Sequence, residues 1–102
     1  MSVWGYGSAT HGIGTAAADE AGTLAVANVN RKYLRLQNDS DTTVYLSLGG
    51  SADVNTGIRL NMAGSPDSVY EMTRGQSNIY TGQVTGKHGG SGAKLILVTE
   101  GQ

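Results

Sequence analysis

Polar and apolar positions alternate most clearly between Lys32 and Leu48. In "KYLRLQN" (32–38), Leu34 and Leu36 fall on one face and Tyr33, Arg35 and Gln37 on the other. In "TVYLSL" (43–48), Val44, Leu46 and Leu48 face one way and Tyr45 and Ser47 the other. A period of two is that of a strand with one buried face. Between the runs, "NDSDT" is a turn cluster, because Asn and Asp side chains bond nearby backbone N–H groups. The two runs are expected to pair as a hairpin closed by a short loop around Asp39 to Thr42. Weaker alternation predicts further strands in "TLAVAN" (23–28), "GIRLNM" (57–62), "SVYEM" (68–72), "IYTGQVTG" (79–86) and "AKLILVTE" (93–100).

Short strands at this spacing, separated by Gly, Ser, Asn and Asp, predict an all-β fold. The expected form is a small antiparallel β-sandwich or jelly-roll-like domain of about seven strands. Its core is expected to hold Leu24, Val26, Leu34, Leu36, Val44, Leu46, Leu48, Ile58, Leu60, Val84, Leu95 and Leu97.

The opening 22 residues, "MSVWGYGSATHGIGTAAADEAG", break this pattern. Gly and Ala dominate, and neither a period of 2 nor one of 3.6 persists. "TAAADEAG" (15–22) allows one helical turn, too short to stand alone. Residues 1–22 are therefore expected to be an extended arm and residues 23–102 the β domain. Val3, Trp4, Tyr6 and Ile13 are its candidate partner-binding anchors. So few anchors do not offset the ordering of a Gly-rich segment, so the arm needs backbone pairing with a neighbour or burial between several subunits.

Composition narrows the function classes. A chain of 102 residues is one domain. Its formal charge of −1, with basic residues scattered, gives no stripe for nucleic acid. The absence of cysteine excludes disulfides and thiolate chemistry. No apolar run approaches the roughly 20 residues that span a bilayer, and the N-terminus lacks the basic and apolar regions of a secretory signal. Synthesis and assembly in a cytosol are expected.

Catalytic constellations are missing. His11 and His88 are the two histidines, with no metal-ligand spacing around either. There is no Gly-x-Ser-x-Gly elbow, and Ser91 in "GGSGAK" belongs to a turn. "GQVTGKH" (82–88) is one residue short of a phosphate loop, and His88 stands where Ser or Thr would hold magnesium. Asp39 and Asp41 read as turn residues rather than paired acids. No enzyme activity, cofactor or metal is expected.

The stretch "NRKYLRLQNDSDTTVYLSLGGSADVNTGIRL" (30–60), followed by "IYTGQV", a Gly-rich loop and "AKLILVTEG", resembles small proteins encoded among the structural genes of tailed bacteriophages. The resemblance covers about residues 28 to 101. It implies a virion component with a compact β fold and no catalytic residues. Among such components, a capsid decoration (cement) protein suits this size. Tail, head-fibre or connector accessory roles stay open.

The expectation drawn from residues and resemblance together is a structural protein of the virion, located on the capsid surface and assembled in the host cytoplasm. Its partner would be the major capsid protein, with bridging of neighbouring capsomers. A homo-oligomer is expected, with a trimer preferred, and no nucleic acid or membrane partner. Tyr33, Arg35 and Tyr45 are candidates for one subunit or ligand contact face, since Tyr is favoured at interfaces. A rival class is a carbohydrate-binding module on the virion, stacking sugars on Tyr33, Tyr45, Tyr70 or Tyr80. A small hydrolase is a distant third.

Overall fold

The computed structural model describes residues 9–16, 21–73 and 79–101, with backbone alone at 9–11. Eight strands are described: β1 Ala9–Ala16, β2 Gly22–Ala25, β3 Tyr33–Asn38, β4 Val44–Leu48, β5 Ile58–Leu60, β6 Val69–Thr73, β7 Val84–His88 and β8 Lys94–Gly101. They form two four-stranded antiparallel sheets, ordered β1-β8-β3-β6 and β2-β7-β4-β5. The sheets pack face to face as a small β-sandwich.

The expected β3–β4 hairpin does not form. β3 pairs with β6 and β8 in the first sheet, whereas β4 pairs with β5 and β7 in the second. The "NDSDT" turn carries the chain from one sheet to the other. The core assignment survives because both strands aim their apolar face into the same interior. Leu34, Leu36, Val44 and Leu46 are all fully buried in one cluster with Leu24, Leu60, Val84 and Ile96. Alternation reports one buried face per strand, and not which strand lies beside it.

The segment expected to be an arm contains β1. Along its eight residues β1 pairs with β8 of the same chain, from Ala9↔Gly101 to Ala16↔Lys94. Its inward positions are Gly12, Gly14 and Ala16, so the usual apolar signal is reversed. A Cβ on Gly14 would lie 2.8 Å from the Leu24 Cδ2 atom. The small residues admit Leu24 and Val98 beneath the strand, while Ile13 points outward, 67% exposed. Val3, Trp4 and Tyr6 lie outside the described residues.

Four of the expected core residues stand elsewhere. Val26 follows the end of β2 and is exposed, and Leu48 is exposed at the end of β4. Leu95 and Leu97 face outward, because β8 buries Ile96 and packs Val98 against the core. β8 is apolar on both faces, and its parity is set by its register with β3, where Leu36 opposes Val98 and Asn38 opposes Ile96.

Two buried polar side chains tie the sheets together at opposite ends of β3. Arg31 is 2% exposed. Its guanidinium donates to Glu100 of β8 at 2.6 Å, to the Val26 carbonyl at 2.7 Å, and to the Tyr80 and Gly82 carbonyls at 3.0 Å each. At the other end, Asn38 donates to the Thr42 carbonyl at 2.8 Å and the Leu60 carbonyl at 3.1 Å, and its Oδ1 accepts from Ser40. Every polar atom of the Asn38 amide is thereby satisfied, as burial requires.

Candidate functional site

The outward faces of the two sheets differ. On the second sheet, the cross-strand rows are Arg59–Tyr45–Lys87 and Ser47–Thr85–Thr23. The β4–β5 connection, residues 49–57, folds back over this face. The Ala52 N–H donates to Thr85 Oγ1 at 2.9 Å, and that hydroxyl donates in turn to the Gly50 carbonyl at 3.2 Å. Asp53 stands 3.7 Å from the Lys87 ammonium, and the Tyr45 hydroxyl donates to Asn55 Oδ1 at 3.0 Å. Thr85 and Ala52 are buried beneath this cover. The cover needs left-handed backbone at Gly49, Gly50, Asn55 and Gly57. At Gly57 a Cβ would collide with the Leu46 carbonyl oxygen, so glycine is required twice over.

No such cover lies over the first sheet among the described residues. Its central outward row is Ile13–Leu97–Gln37–Val69, with Thr15–Leu95 beside it. Ile13 is 67% exposed, Leu95 45% and Val69 37%. Toward the other end the face turns polar: Arg35 opposes Thr99 and Glu71, and donates to Gln37 Oε1 at 3.0 Å. Tyr33 bonds Glu71 through its hydroxyl and is buried against the sheet.

A cleft of about 490 Å³ opens along β5 and the start of β6. Tyr45, Asn55, Arg59, Asp67 and Tyr70 line it. The cause is strand length, since β5 has three residues and β6 has five, which leaves the sandwich edge open. Asn55 and Asp67 carry the two positive φ angles found at non-glycine residues of the described chain, 67° and 62°. Arg59 and Asp67 form no ion pair, to each other or to any other described residue. Tyr70 packs on the core with its ring, and Tyr45 is half-buried.

The proposed contact trio is divided by the fold. Tyr33 and Arg35 face outward from the first sheet, whereas Tyr45 faces outward from the second, so they do not share a surface. Tyr80 is separate again, packed on the core with its hydroxyl donating to the Gln83 carbonyl at 3.0 Å. Of the four tyrosines considered for sugar stacking, Tyr45 and Tyr70 line one cleft. Arg59 and Asp67 were not singled out by the sequence. They stand eight residues apart, on β5 and on the approach to β6, and the open edge between these strands puts both in one cleft.

His88 is fully buried at the end of β7. The Gly90 N–H donates to its Nδ1 at 3.0 Å, so Nε2 carries the proton and donates to the Gly92 carbonyl at 2.6 Å. This is a turn-holding role. Among the described residues, no three His, Cys, Asp or Glu side chains gather as a metal site would need. Asp41 and Lys94 form an exposed ion pair at 2.9 Å, and hydrogen bonding from Lys94 and then Thr42 holds the Asp41 carboxyl below its ordinary range.

Compared with protein-family models, with curated proteins and with solved structures, the chain finds no match in any of the three.

Proposed function

We propose that this chain is a structural virion protein of the capsid decoration type, acting by binding and not by catalysis. It attaches to the assembled shell of a tailed bacteriophage, against the major capsid protein, and bridges neighbouring capsomers. The observation that carries this reading is that no described residue covers the outer face of the first sheet. Ile13, Leu95 and Val69 stand exposed on it, with the half-buried Leu97 and Gln37 between Ile13 and Val69. Soluble domains seldom leave a clustered apolar surface without a partner. The polar end of the same face, with Arg35 and Glu71, supplies the rim that a protein contact needs. The resemblance of residues 28 to 101 to phage structural proteins points the same way.

The proposed contact lies on strands already paired within the sheet, so attachment needs little backbone ordering on binding. A homotrimer is the preferred assembly on the shell. The experiment is co-sedimentation of the purified protein with shells assembled from the major capsid protein of the same genome. Wild-type protein should pellet with the shells, and Leu95→Asp should stay in the supernatant while melting like wild type. Equal pelleting of the two would remove this face from the mechanism. Pelleting with tails but not with shells would move the protein to a tail role.

A further inference from the structure

The cleft beside β5 has no part in the attachment proposed above. It is lined by Tyr45 and Arg59 from the outward side of the second sheet, by Asn55 from the covering loop, and by Asp67 and Tyr70 from the approach to β6 and its first turn. We propose that it binds a neutral sugar ring, a pyranoside with adjacent hydroxyl groups.

Four features argue for that ligand. The volume, about 490 Å³, falls in the range of small-molecule sites. Tyr45 and Tyr70 both line it; Tyr70 packs its ring on the core, and the half-buried Tyr45 ring supplies the flat apolar face for the C–H face of a pyranose. Arg59 brings up to five N–H donors and Asp67 two acceptor oxygens. Neither group is engaged by another described side chain, so both are free for a ligand. Adjacent hydroxyls each both donate and accept, and so match a donor and an acceptor placed in one cleft.

Charge separates this ligand from its competitors. A phosphate or sulfate attracted by Arg59 would also meet the Asp67 carboxylate, and a cation attracted by Asp67 would meet the guanidinium. The pair leaves the cleft with no net charge, which favours a neutral polyol. Backbone conformation adds a further observation. The two non-glycine residues held at positive φ in the described chain, Asn55 and Asp67, both line this cleft. Asn and Asp adopt left-handed backbone more readily than other non-glycine residues, so this part of the lining is held at little cost.

The test uses the full chain. It is applied to an array of neutral, sialylated and sulfated glycans, and the strongest neutral binder is then titrated into ¹⁵N-labelled protein. Amide shifts should cluster at residues 55–60 and 67–70. Arg59→Gln should weaken binding about tenfold or more, a loss of about 1.4 kcal/mol, with an unchanged urea midpoint because Arg59 is exposed. Tyr45→Ala should weaken it similarly, whereas Tyr45→Phe, which keeps the ring, should bind within a few-fold of wild type. The proposal is overturned by an array without neutral binders, by shifts mapping elsewhere, by Arg59→Gln binding as wild type, or by competition from inorganic phosphate. None of these outcomes bears on shell attachment, which the co-sedimentation assay reads separately.

Discussion

The two outer faces of this sandwich began with the same problem and solved it differently. Each belongs to a four-stranded antiparallel sheet whose inner side is buried. The second sheet is covered by its own chain: residues 49–57 bury Ala52 over Thr85 and tie Asp53 and Asn55 to Lys87 and Tyr45. The first sheet keeps Ile13, Leu95 and Val69 in solvent. Exposed apolar side chains gathered on one face, rather than scattered singly, are what marks a contact surface. The contrast is what the proposed attachment rests on: the second face is covered by its own chain, and no described residue covers the first.

The largest effect is expected where the faces are held to a common core. Arg31→Ala leaves Glu100 and three backbone carbonyls without their donor. Removing one side of a buried, hydrogen-bonded charge costs about 3–5 kcal/mol. Urea denaturation should show that loss, and a change below about 1 kcal/mol would mean that water replaces the guanidinium without penalty.

Next comes a pair that sets the faces against each other. Gly57→Ala strains the hinge of the cover, where φ is 75° and the Leu46 carbonyl is in the way. A loss of about 1–3 kcal/mol is expected. Leu95→Asp on the bare face should change stability by no more than about 0.5 kcal/mol, as exposed positions do. Equal losses at the two sites would erase the difference between the faces.

These residues also show how far the sequence could be read. Alternation in β3 and β4 revealed which side chains meet in the core, because burial and period are local. It did not reveal that the strands belong to different sheets, since a turn between sheets and a hairpin turn share the same Asn, Ser and Asp chemistry. β1 stayed hidden because Gly12, Gly14 and Ala16 occupy its inward parity, where small residues, packed closely on Leu24 at Gly14, give no apolar signal. In β8 both parities are apolar, and register alone chose Ile96 over Leu95 and Leu97. Arg31 read as one scattered surface charge because its carbonyl partners lie at residues 26, 80 and 82. Of the cleft, Tyr45 and Tyr70 were legible as aromatics, while Arg59 and Asp67 acquire meaning from the open edge beside β5.

The smallest effect belongs to neither face. The Asp41 carboxyl is held below its ordinary range by Lys94 and Thr42. A group whose folded-state value is lowered adds stability above the unfolded-state range and loses it as pH falls through the lowered value. Asp41→Asn should therefore narrow the difference in urea midpoint between neutral and acidic solution. The change is slight, because the Asp41 carboxylate is exposed and its pairing is screened by solvent. A larger acid sensitivity in the variant than in wild type would reverse the sign of this account.

The bare face is the central claim, and electron cryomicroscopy of shells saturated with the protein tests it most directly. The account predicts that the β1-β8-β3-β6 sheet lies against the capsid, with Ile13, Leu95 and Val69 at the contact and residues 49–57 turned to solvent. Density placing the 49–57 cover against the shell, with the apolar row exposed, would contradict it.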